Sequence, residues 1–123
     1  DPLRAYEALG RAYLAFARRE PAYYAAMFET RIAHDAHPGL LAASDHAFGV
    51  LRDATEVLVA RLPEGRRPPV LMVALHVWSM SHGIASLFCR PDRSRRKLPM
   101  APEDLLEAGL LIYLQSLGLS AAG

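Results

Sequence analysis

Five histidines, a scatter of serines and acids, and one cysteine are the side chains here with chemistry to offer. His34, Asp35 and His37 share one segment, and His46 follows early on the next, so the four could meet around a metal ion. Metal sites, however, carry ligand spacings such as HExxH or CxxC, and neither is present. On a helix His46 falls about 160° from Phe48, which turns it to the outer side. His76 and His82 stand near Ser79, Ser81 and Ser86. No nucleophile-elbow pattern surrounds these serines. Asp45 and Glu56 are too far apart along a regular helix to work as a carboxylate pair. Neither catalysis nor a metal or cofactor is expected.

The basic run Arg90 to Lys97 (RPDRSRRK) could contact phosphates, but no aromatic residues interleave it and no recognition helix adjoins it. A solvated loop is the better reading. Net charge is +1, which gives no general attraction to nucleic acid. Cys89 has no second cysteine to pair with, so a reducing, cytoplasmic setting is expected. No signal peptide opens the chain, and the start without Met suggests a fragment of something longer.

The elements that would position these groups are helices. The 123 residues suffice for one domain, 1–123, and 52% are apolar, which hints at more burial than a monomer offers. Asp1-Pro2 caps an amphipathic helix over Leu3 to Arg19, and Glu20-Pro21 breaks it. A short helix runs from Ala22 to about Thr30. Residues 31–39 connect it to a third, Leu40 to Leu62, whose inner stripe is Leu41, Ser44, Phe48, Leu51, Thr55, Leu58 and Leu62, widened by Val50 and Val57. Val70 to Cys89 contains no Asp, Glu, Lys or Arg. About twenty apolar residues can span a bilayer, but His76, His82 and three serines would be costly there, so a helix covered by protein on nearly all sides is expected, with no membrane. Glu103 to Leu117 makes the fifth helix, with acids in its first turn and Gly118 as terminator. The product is all-α, and its last two helices are too apolar for a lone monomer. Pairing them with the same two of a second copy would give a four-helix, two-fold interface.

Helical phase sorts the fourth helix into two stripes. Leu71, Leu75, Trp78, His82 and Ala85 form one; Met72, His76, Ser79, Met80, Gly83 and Leu87 form the other. The first is expected to close the subunit's own core and the second to meet a partner, though phase alone leaves the assignment open to exchange. Gly83 and Gly109 invite close approach of another helix. The dimer seam would then comprise His76, Ser79, Met80, Gly83, Leu87, Leu106, Gly109, Leu110, Tyr113 and Leu117. On the earlier helices, large flat or flexible side chains with a few polar handles suit an apolar small-molecule pocket. Its expected lining is Tyr13, Phe16, Tyr24, Met27, Phe28, Phe48, Arg52, Trp78 and His82.

Three segments carry a family resemblance. Trp78 to Gly83 (WSMSHG) resembles the W-x-x-x-H-G signature of the WHG-type C-terminal domain of TetR-family transcriptional regulators. Pro21 to Phe28 (PAYYAAMF) resembles that group's second-helix segment, and Glu103 to Gly109 (EDLLEAG) its final helix. The resemblance implies a five-helix effector-binding and dimerisation domain of a one-component repressor. It also implies an N-terminal helix-turn-helix that binds DNA and is absent from this chain. A small hydrophobic or aromatic effector and a homodimer are its expected partners. A stand-alone helical interaction module, using the two apolar helices to bind another protein, is the competing expectation.

Overall fold

The structure is a computed structural model that describes residues 1–28, 38–89 and 98–119, the side chains of Phe28, Pro38, Leu40 and Leu41 excepted. Among the described residues the chain forms five α-helices and no strand: α1 (Pro2–Arg19), α2 (Pro21–Phe28), α3 (Pro38–Val59), α4 (Val70–Phe88) and α5 (Pro102–Ser116). The expected all-α, five-helix order is present, with each end within three residues of the expected one where the residues are described. The 31–37 connection and the 90–97 basic run lie outside the described residues.

α1 is the centre of the molecule, packing against each of the other four helices. Asp1 Oδ1 accepts from the Leu3 backbone N–H at 3.1 Å, and Arg18 and Arg19 end the helix against its negative dipole end. Leu3, Tyr6, Gly10, Leu14 and Ala17 recur every three or four residues and are all buried. α5 crosses α1 where Gly10 leaves room: a Cβ there would stand 3.1 Å from Leu106 Cδ2 and 3.4 Å from Leu110 Cδ1. Along the same seam Arg11 pairs with Glu107 at 2.6 Å and Arg18 with Glu103.

Both connections at the α3–α4 and α5 ends are tied down by ordinary means. Arg67 Nε donates to the Leu62 carbonyl at 2.9 Å and its Nη2 to Ala60 at 3.0 Å, which satisfies orphan carbonyls beyond α3. Gly118 takes φ +97° after α5, and the Leu119 and Gly118 N–H groups bond back to Leu114 and Gln115. That is a Schellman stop, with Leu119 buried beside Leu114 in the core.

α4 packs on α1, α3 and α5 through Val73, Ala74, Val77, Ser81, Ile84 and Ala85. Its length and mean hydropathy of 1.4 would pass for a membrane span, yet one such helix packed on three others is weak ground for that reading. The two-stripe expectation is corrected in part. Leu71 and Leu75, grouped with the inward stripe, are exposed together with Met72, His76, Ser79 and Leu87. Helical phase explains this: the buried arc runs through 73, 77, 81 and 84, and Leu71 and Leu75 fall outside it. On α3, Val57 is likewise exposed rather than inward, while Val50 is partly exposed at the cavity described below.

Candidate functional site

A cavity of about 380 Å³ opens between α1, α2, α3 and α4. That size lies within the range of small-molecule pockets. α1 contributes Tyr6, Tyr13 and Phe16, α2 contributes Tyr23 and Met27, α3 contributes Ala47, Phe48 and Leu51, and α4 contributes Val77, Trp78 and Ser81. No lining side chain among the described residues carries a charge. The aromatic walls meet edge to face: Phe48 and Trp78 have ring centroids 5.8 Å apart at 63°, and Phe16 and Tyr23 5.7 Å apart at 85°.

Polar groups are few, and most are tied into the frame. Tyr6 Oη lies 2.8 Å from Thr55 Oγ1, both residues being buried, and Thr55 in turn donates to the Leu51 carbonyl at 2.7 Å. Burial pushes the Tyr6 phenol up to about 12, against a smaller downward pull from the Thr55 hydrogen bond. Ser81 Oγ donates to the Val77 carbonyl at 2.8 Å. Behind Tyr13, Tyr24 Oη lies 2.7 Å from His82 Nδ1, with the two rings stacked at a 26° tilt.

Of the expected pocket residues, Tyr13, Phe16, Met27, Phe48 and Trp78 line the cavity. Tyr24 and His82 are not among the lining side chains. They stand one layer back, where Tyr24 is buried and hydrogen-bonded to His82. Arg52 is a correction: it is exposed and absent from the lining, because α3 turns Leu51 and Thr55 inward and carries Arg52 past the edge. The Phe28 side chain lies outside the described residues. The lining also takes in Val77, Ser81 and Tyr23, which lie outside the expected set. In a helix as uniformly apolar as α4 the inward arc has no contrast, and Val77 and Ser81 carry no signal of their own.

The expected dimer residues divide as well. His76, Ser79 and Leu87 are exposed, and Met80, Gly83, Gly109, Tyr113 and Leu117 are half-buried. Leu106 and Leu110 are a correction. Both are inside the subunit's own core, because the 106–110–114 arc of α5 faces α1. The outward arc of α5 is instead Ala108 and Ile112, the latter 70% exposed. A Cβ at Gly109 would meet Met80 Sδ at 2.8 Å, so this glycine admits α4 of its own chain. Among the described residues, a Cβ at Gly83 would meet nothing within 4 Å. Across the two outward arcs His76 Nδ1 and Tyr113 Oη lie 2.9 Å apart.

Residues 6–111 match the family described as the tetracyclin repressor-like C-terminal domain. The chain belongs to this TetR-like family. No curated protein and no solved structure matches it. The match spans α1 through most of α5, and so takes in every wall of the cavity. TetR-like C-terminal domains have regulatory roles and typically bind small-molecule effectors and dimerise. The WSMSHG segment of the TetR-like chain is consistent with the WHG subtype. Trp78 of that segment forms cavity wall and His82 backs it.

Proposed function

We propose that this chain is the effector-binding and dimerisation domain of a cytoplasmic one-component transcriptional repressor, regulatory rather than enzymatic. A small hydrophobic or aromatic molecule occupies the cavity among α1 to α4. Two copies pair through the outward arcs of α4 and α5. The ligand shifts the population between DNA-competent and incompetent dimers, with DNA held by a helix-turn-helix outside this chain.

The observation that carries this reading is the double duty of α4. One side supplies Val77, Trp78 and Ser81 to a cavity whose lining among the described residues carries no charge, and the other exposes Leu71, Met72, Leu75 and Leu87. Contiguous exposed apolar patches on small proteins mark interaction surfaces. Isologous pairing is the commonest way to cover such a face in a family that dimerises.

The test joins two measurements on the chain. A thermal-shift screen of small uncharged apolar compounds is expected to find molecules that raise Tm in a saturable way, while sedimentation at micromolar concentration finds dimers. A monomer that no compound stabilises would sink the proposal and put the stand-alone interaction module ahead.

A further inference from the structure

The residues that line the cavity differ in exposure, and the difference has a direction. Ala12 on α1, Tyr23 on α2, and Ala47 and Val50 on α3 line it and are open to solvent, Tyr23 to 46% and Val50 to 40%. Tyr6 on α1 and Val77 and Ser81 on α4 line it and are buried, at 1%, 3% and 4%. Trp78, the remaining α4 residue of the lining, is half-buried. Among the described residues, then, the cavity has a mouth bounded by α1, α2 and α3 and a floor laid by α4.

The two ends ask different things of a ligand. Toward the floor the hydroxyls are engaged with the protein. Ser81 donates to the Val77 carbonyl. Thr55 donates to the Leu51 carbonyl, so in the Tyr6–Thr55 contact the phenol is the donor. Tyr13 Oη is held 3.0 Å from Tyr24 Oη and 3.2 Å from His82 Nδ1. No lining side chain among the described residues carries a charge, so an ion pushed to the floor would lose its water and meet no counter-charge, which is costly. An apolar end gains there by leaving water. At the mouth, where Tyr23 and Val50 are partly in solvent, a polar head keeps its hydration, as a lysine head does beyond a buried stem.

We propose that the cavity takes a one-headed amphiphile, its apolar end lodged on the α4 floor against Val77 and Ser81 and its polar or charged head left in water at the mouth beside Tyr23, Ala47 and Val50. This rests on the ligand-binding reading proposed above and names the ligand class. At about 30 Å³ per water-sized group, the cavity of about 380 Å³ holds an apolar end of roughly a dozen non-hydrogen atoms.

Trp78 is the sole tryptophan and lines the cavity, so its emission reports occupancy. The probes are decanol, decanoate, decyltrimethylammonium and decanedioate, at neutral pH and below micelle formation. The first three carry one head on a similar apolar length and should bind within about threefold of one another, because each head keeps its water. Decanedioate must carry a carboxylate to the floor and should bind at least about tenfold more weakly than decanoate. Ala47 is exposed at the mouth, so it can be charged and the fold checked by melting. Ala47→Lys should raise the ratio of decanoate to decyltrimethylammonium affinity about two- to fivefold and Ala47→Glu should lower it as much, the worth of an exposed charge pair. Decanedioate matching decanoate, a ratio indifferent to both Ala47 variants, or decanol binding more than about thirtyfold tighter than both ions would each overturn the proposal and leave the cavity reading standing. If no decyl probe alters Trp78 emission, the amphiphile is ruled out, and the cavity reading then answers to the thermal-shift screen alone.

Discussion

Tyr6 Oη and Thr55 Oγ1 meet at 2.8 Å in the interior, 49 residues apart in sequence. The contact ties α1 to α3 beside the cavity, where neither hydroxyl reaches solvent. A buried polar pair of this kind is secure while both members are present and expensive when one is removed.

Thr55→Val should therefore destabilise the chain by about 1–3 kcal/mol, because the Tyr6 hydroxyl stays buried without its acceptor. Adding Tyr6→Phe should restore part of the loss. Urea unfolding of the two single variants and the double variant gives the coupling directly. Strict additivity would show that the contact carries no energy of its own.

The same phenol contributes to stability on the alkaline side. Its folded pKa of about 12 lies above the ordinary value of 10.0, so the folded state holds its proton where the unfolded chain has released it. The stabilising contribution is full below pH 10 and is lost as pH rises toward 12. Tyr6→Phe should lose less stability than the native chain between those values, measured by unfolding at stepped pH.

On the acid side, the Arg18 hydrogen bond holds the Glu103 carboxyl below its ordinary 4.5. Its contribution is present above pH 4.5 and disappears as pH falls through the lowered value. Both side chains are partly exposed, so the loss should stay under about 1 kcal/mol and shrink in high salt. Glu103→Gln should flatten the stability profile below pH 4.5, and an unchanged slope would count against the pair.

Two glycines make opposite predictions. Gly10→Ala pushes a methyl against Leu106 and Leu110 in a packed core, at a cost of about 1–3 kcal/mol against about 1 kcal/mol of helix propensity gained. Gly83→Ala meets nothing among the described residues and should raise monomer stability by up to about 1 kcal/mol. If a partner helix approaches there, the same change weakens self-association, which sedimentation separates from the melting temperature.

Ile112→Glu and Leu75→Glu place a charge on the outward arcs of α5 and α4. Each should abolish dimers while leaving the folded monomer and cavity occupancy intact. Retained dimers would move the pairing surface elsewhere.

Where the sequence shows contrast, it foretells the structure well. In α1 the helical spacing of Leu3, Tyr6, Leu9, Tyr13, Phe16 and Ala17 marks the inward side: Leu3, Tyr6 and Ala17 are buried and the other three half-buried, with Leu14 buried beside them, and Asp1-Pro2 and Gly118 act as the caps they resemble. Contrast fails on α4 and α5. When nearly every residue is apolar, phase identifies arcs but not which arc faces inward, so it groups Leu75 with the inward stripe and Leu106 with the seam. The cavity suffered the converse problem: Arg52 adjoins Leu51 on α3, and one step of 100° separates cavity wall from solvent. Tyr24 and His82 stand in the expected neighbourhood, but residue type alone cannot tell a wall from the layer that supports it.

His76 and Tyr113 form a hydrogen-bonded polar pair on a face made mainly of Leu, Met and Ile, with Ser79 on the same side of α4. Apolar surfaces slide over one another at little cost, whereas a polar pair among them admits few alignments. Each residue has satisfied one valence within the chain, so a covering surface must answer only what remains, at one location. Two such faces related by a two-fold axis would bring two fixed marks together, and a shift of one helical turn would strand both. The pair would act as a registration mark, giving a greasy face a single way to be covered.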